Sequence, residues 1–213
     1  METEHIYVNG DEESIKEAMS TAEQFADAEG FSEKDALRLR LLSEELLGLL
    51  NGITSDDYSA MFWIEGDRKS SRLHLAGKVE MTLKRREELL ASARNGKNAA
   101  AKGIMGKLRE MIAVSALQMD ESGFAEAAAM DFYSGGLDAM ASNPGQLAWS
   151  LSGYRSFIEE RYIDLDASDE FENREPWDEL ERSVIANLAD DVLVRIKGDD
   201  VEITVERGET KKK

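Results

Sequence analysis

Two adjacent acids, Glu44 and Glu45, stand in a leucine-rich stretch over residues 32–51, where carboxylates need a reason. A carboxylate at the edge of an apolar core can serve as a general base or a polar anchor. The same spacing also suits plain ion pairing, Glu44 with Arg40 one turn earlier and Glu45 near Arg38, each pair worth about a few tenths of a kcal/mol. Both readings stand open on the residues alone. A second candidate is the run over residues 94–106 with Lys107, glycine- and lysine-rich in an otherwise acidic chain. Gly103 and Gly106 before a helical pattern, with Lys97, Asn98, Lys102 and Lys107 beside them, could offer backbone N–H groups, a helix dipole and cationic donors to a phosphate. It is not a Walker A loop, because Leu108 follows Lys107 and Ala101 fills the first glycine position. The alternative is a basic surface loop that opens a helix.

The acids need a helix to carry them. Leu37, Leu41, Leu42, Leu46, Leu47, Leu49 and Leu50 cover most of a helical circumference, so residues 32–51 are expected to pack on more than one side. Ser32 is the expected N-cap and Gly52 the stop. Before it, Ile15, Ala18, Met19, Ala22, Phe25 and Ala26 predict an amphipathic helix over 12–28, after a short strand at 5–8 and a turn at Asn9-Gly10. Two strands, 60–65 and 72–82, are joined by the hairpin loop 66–70. In the second, Leu73, Leu75, Gly77, Val79 and Met81 alternate with polar residues, which places His74 on the solvent side. Helices are expected at 83–93 and 104–118, and largely helical chain from 120 to 162. There Trp149, Tyr154, Phe157, Ile158 and Tyr162 form a stripe, read as core or as a partner-binding face. An acidic loop over 164–175 precedes a helix at 176–188. Strands at 192–196 and 201–205 close the chain across a Gly198-Asp199-Asp200 turn.

Composition narrows the function classes. With no cysteine and only His5 and His74, neither a thiolate nor a histidine metal site is available, and no metal site is expected. Asp164, Asp166, Asp169, Glu170 and Glu172 read as a solvated acidic loop, since the spacing of a calcium loop is missing. A net charge of −18 repels nucleic acid and anionic membrane. No apolar run is long enough to span a bilayer and no signal peptide opens the chain, so a cytoplasmic location is expected. The elements do not alternate βαβα. They point to a single α+β domain over residues 1–213, a two-layer sandwich of a mostly antiparallel sheet with helices on one face.

That order, with an acid-bearing second helix and a closing helix and hairpin, resembles the Bergerat fold of the histidine kinase-like ATPases. Within that superfamily it is most similar to the bacterial anti-sigma factor serine kinases. Ser43-Glu44-Glu45-Leu46-Leu47-Gly48 and residues 183–206 carry the resemblance, which spans about half the chain. Residues 119–176 have no counterpart and read as a helical insertion or lid elaboration. The resemblance implies ATP as ligand, Glu44 as general base and residues 97–107 as the phosphate-covering lid. It also implies a protein partner of the sigma-factor or antagonist type, and it allows a homodimer. The family's magnesium-binding asparagine lies four residues after the glutamate, where this chain has Gly48; aligned on Glu45, the position is Leu49. The family's adenine-binding aspartate motif is also missing, Asp131 to Gly136 being a loose echo late in the chain. The expected function is therefore an anti-sigma-factor-like regulator with nucleotide binding weak or lost; the alternative is an active Mg-ATP-dependent serine kinase or ATPase.

Overall fold

The computed structural model of the chain describes residues 1–49, 59–78, 103–117, 146–163 and 174–208. Among these residues the sheet has six strands, all antiparallel: β1 (Ile6–Val8), β2 (Ser59–Gly66), β3 (Ser70–Lys78), β4 (Gln146–Ser150), β5 (Asp191–Lys197) and β6 (Asp200–Gly208), in the spatial order β1-β2-β3-β6-β5-β4. Together with the helices they make an α+β fold with an open antiparallel sheet.

Register decides which side chains become core. Ile6, Phe62, Leu75, Ile203, Val194 and Trp149 lie opposite one another from strand to strand, and all six are buried. Successive residues on a strand point to opposite faces, so this row and its neighbours two residues away form one apolar face. Each such side chain, fully buried, contributes roughly 1.5–3 kcal/mol. The helices pack on it. Helix α1 (Glu12–Ala28) lies by β1 and β2, and α2 (Glu33–Gly48) crosses β3 and β6 between α1 and the short α6 (Val184–Leu188). Helix α4 (Leu151–Ile163) lies by β4 and β5, while α3 (Gly103–Leu117) packs on α5 (Arg174–Arg182). Buried residues of all these elements join one continuous core.

Local chemistry sets the boundaries. Asp11 caps α1 by accepting from Ser14 N–H at 2.7 Å, and Ser32 caps α2 by accepting from Asp35 N–H at 3.2 Å. In the β2–β3 hairpin, Gly66 has φ +117°, and a Cβ there would sit 2.2 Å from the Ser70 carbonyl oxygen, so only glycine fits. Asp67 closes the turn by accepting from the N–H groups of Lys69 and Ser70.

Several expectations are corrected. Residues 146–150, expected to be helical, form the edge strand β4, and Trp149 lies on this strand rather than on a helical stripe. Its ring still packs near Tyr154 of the following helix, 6.1 Å between centroids. The expected helix at 176–188 is broken, because Ser183 takes an extended conformation and caps a new helix by accepting from Ala186 N–H. Leu37, counted among the packed leucines, is 57% exposed. The expected helix at 83–93, Gly52 and residues 164–173 of the acidic loop lie outside the described residues, whereas Arg174 and Glu175, expected in that loop, begin α5.

A buried ion pair ties α2 to the last strand. Arg207 is fully buried, 3.3 Å from Asp35, with its guanidinium 4.4 Å above the Phe31 ring, and donates to Ser71 Oγ and the Arg68 carbonyl. Burial pulls its pKa down and Asp35 opposes that shift. Removing the carboxylate leaves a buried charge without its counter-ion, whereas removing both charges does not. Asp35→Ala is expected to lower the urea unfolding free energy by about 3 kcal/mol, and Asp35→Leu combined with Arg207→Met by clearly less. Equal losses in the two would refute the pairing argument.

Candidate functional site

Helix α2 separates its packing residues from its chemical ones by angle. Leu39, Leu42, Ser43, Leu46 and Leu47 are buried, while Leu37, Arg40, Glu44 and Gly48 follow one another at three- and four-residue steps along the outer side. Glu44 is exposed on this outer stripe, and its carboxylate has no hydrogen bond or ion pair among the described residues. The expected pair with Arg40 does not form. Arg40 turns instead to Glu23 of α1 at 3.4 Å. Arg38 likewise turns from Glu45 to the chain end of the sheet, donating to the carbonyls of Leu188 and Gly208 at 2.6 and 3.0 Å, with Asp190 at 3.6 Å. Arg38 is held there by these three contacts across a packed interface, whereas Arg40 makes an exposed pair with the neighbouring helix.

One turn beyond Glu44, Gly48 would carry a Cβ with no atom of the described residues within 4 Å. Nothing among the described residues excludes a side chain there. Of the expected phosphate-loop residues, Gly103, Gly106 and Lys107 belong to α3, not to a loop before it: Gly103 opens the helix with φ +76° and Gly106 is buried in its first turns. Lys107 is half-buried and paired with Glu179 of α5. That contact joins two helices and explains why a lysine lies on this side of α3. Lys97, Asn98 and Lys102 lie outside the described residues, as do Asp131 to Gly136. No described contact joins Glu44 to the Gly103–Lys107 turn.

The sheet face away from the helices holds a second constellation that the alternation pattern missed. His74, expected in solvent, is only 8% exposed. Its ring stacks on Trp63, 4.6 Å between centroids and 4° from parallel, and the other face of the indole carries His5 at 4.5 Å and 10°. His74 Nδ1 lies 3.2 Å from Thr204 Oγ1, whereas Nε2 lies 3.5 Å from a Glu65 oxygen without a hydrogen bond. Burial pushes the His74 pKa down, against the attraction of Glu65 and Glu202. Around it runs an ion-pair ladder: Arg72 bridges Glu65 and Glu206 at 3.2 and 3.0 Å, and Arg195 meets Glu202 at 3.6 Å. The Arg72 hydrogen bond holds the Glu65 pKa down. The β2–β3 hairpin register, which puts Trp63 opposite His74, was a usable signal for half of this stack.

Among the described residues no three metal-ligating side chains gather, and no helix is long and apolar enough to cross a membrane. Comparison of the chain with protein-family models, with curated proteins and with solved structures found no match.

The open space at Gly48 yields a direct test. Asparagine is a somewhat better helix former than glycine, by about a few tenths of a kcal/mol. Gly48→Asn is expected to leave the melting temperature unchanged or slightly higher in a calorimetric scan. A fall of several degrees would show that the site is closed.

Proposed function

We propose that this protein is a cytoplasmic regulator of the anti-sigma-factor type. It would be built on a Bergerat-like, histidine kinase-type ATP-binding fold in which nucleotide binding is weak or lost, and it would act through contacts with a protein partner, a sigma factor or its antagonist. The observation that carries this reading is the outer stripe of α2. Glu44 stands where the resemblance puts a general base, but one turn further on, where it puts an oxygen ligand for magnesium, there is Gly48, with no described residue within 4 Å of a Cβ there. A lone exposed carboxylate can accept a proton, but it cannot place a metal-bound triphosphate for attack. The engagement of Lys107 with Glu179 supports the same reading, since a lysine held in a helix–helix ion pair is withdrawn from a phosphate. The acidic charge of −18 suits a basic protein partner and opposes an unaided polyphosphate.

One observation favours the second reading, an active Mg-ATP-dependent serine kinase or ATPase. The Glu44 carboxylate is exposed and unengaged by the described residues, which is what a base requires. Lys97, Asn98, Lys102, Gly103, Gly106 and Lys107 would then cover the phosphates.

Calorimetric titration with ATP and ADP, with and without Mg²⁺, separates the two. The regulator reading expects no magnesium-dependent heat and no thermal shift at about millimolar nucleotide, a free energy of about −4 kcal/mol or weaker. Saturable binding at micromolar nucleotide that requires Mg²⁺ and is lost in Lys107→Ala would overturn it in favour of the enzyme. Binding of a purified sigma factor or antagonist from the same cell, at micromolar affinity or better, is the expected positive result.

A further inference from the structure

The chain contains two histidines, and both lie against the same indole. How His5 reaches it is a matter of register. Glu2 bridges Glu65, whereas Ile6 pairs with Phe62, so the N-terminal segment uses four steps where β2 uses three. One extra residue, a β-bulge, lies opposite Trp63. Bulges at a sheet edge re-aim side chains. Here the bulge puts Glu2 and His5 on the same face, with His5 Nε2 3.0 Å from the Glu2 carboxylate and the ring laid on Trp63. Thr3 holds the segment in place on the other side of the bulge through N–H donation to Ile64 O at 2.9 Å and acceptance from Ile64 N–H at 3.0 Å.

We infer that the His5–Trp63–His74 stack is a proton-sensitive fastening of residues 1–8 to the outer face of the sheet, closed when His74 is neutral and loosened when His74 takes up a proton. The ring of His74 is nine-tenths buried, with Thr204 at one nitrogen and no hydrogen-bond partner at the other. A second N–H on this ring needs an acceptor. The nearest is Glu65, but Arg72 already holds that carboxylate at 3.2 Å and also pairs with Glu206. Glu202, 4.0 Å from Nδ1, is engaged by Arg195. The Glu65 carboxylate can accept from both groups, but at 3.5 Å the ring has no hydrogen bond to it, so the protonated ring must either shift toward Glu65 or turn toward water. Either motion changes its overlap with Trp63, and Trp63 is the seat of the bulged His5.

The sign follows from burial. His74 in the folded chain binds its proton less readily than a free imidazole of pKa about 6.5. Its contribution to holding the stack is complete above that value and is lost as pH falls below it, through the depressed folded-state value. The Arg72 hydrogen bond holds the Glu65 pKa down, and hydrogen bonds to Glu206 and Glu65 hold the Arg72 pKa up, so this neighbouring pair keeps its charges while His74 changes.

The test is an NMR titration of the whole chain from about pH 7.5 to 5, following the two histidine ring signals and, after correction for intrinsic rates, amide exchange at residues 1–8. Exchange protection there is expected to fall about tenfold with the midpoint of the His74 signal, below 6.5, while β5 and β6 stay protected. In His74→Gln the fall should disappear. Constant protection while His74 titrates, or an unchanged fall in His74→Gln, would overturn the inference. Should that variant lose its far-UV signal, Glu65→Gln provides the reading: with one anion gone, the midpoint should move to lower pH, and a midpoint that does not move is equally fatal.

Discussion

The register of one antiparallel sheet is the constraint on which the remaining structure depends. Because side chains alternate, fixing Phe62 opposite Leu75 and Leu75 opposite Ile203 fixes which residue of every pair meets the helices. A slip of one residue would put Arg72, His74 and Ala76 into the core and Leu73 and Leu75 into the outer face. The tight hairpins at Gly66 and Gly198 hold two of the five pairings, and the Arg207–Asp35 pair clamps the helical layer to the last strand from a position that alternation itself assigns to the inner face. Arg207 stands two residues beyond Val205, and so had to be buried or break the pattern. Phe31, Asp35 and Ser71 are what make burial tolerable.

The outer face obeys the same alternation but is stabilised differently. It has no packed helix among the described residues, so its polar rows satisfy one another: Glu65, Arg72 and Glu206 in one, Arg195 and Glu202 in the next. Exposed pairs of this kind contribute little singly. Their effect is to crowd the two positions between them, His74 and Thr204, which end up buried on a face that pattern alone assigns to solvent. Charged side chains with long apolar stems can shelter a neighbour as an apolar residue would.

What was legible in the sequence follows from how local each signal is. Period-two alternation gave β3, β5 and β6, and capping chemistry gave the start of α2, because those features are written in consecutive residues. Strand β4 was missed because its alternation, Leu147 and Trp149 against Gln146, Ala148 and Ser150, spans only five residues and runs directly into the helical pattern of Tyr154, Phe157 and Ile158. Its pairing with β5 is decided by Leu147 opposite Ile196 and Trp149 opposite Val194, contacts no window contains. The same holds for the candidate sites. Glu44 and Gly48 could be read as one turn of helix, but the partners of Arg38 and Arg40 could not, since both lie on other elements. His74 was misread for the related reason that its neighbours come from β2 and β6. The bulge itself leaves no mark in composition.

The two constellations lie on opposite sides of the sheet, and this bears on how such a chain can change function without losing its fold. On α2 the core residues sit on the buried side, and no described residue lies within 4 Å of a Cβ at Gly48, so a side chain there would not press on the described core. Loss of a metal ligand at that position would leave the register, the clamp and the core untouched. On the outer sheet face the opposite holds, because His74 and Thr204 belong to strands at the centre of the sheet, and a substitution there is felt through the ion-pair ladder on both sides. A function carried by α2 can therefore decay silently, whereas one carried by the stack is tied to the stability of the sheet and is retained with it.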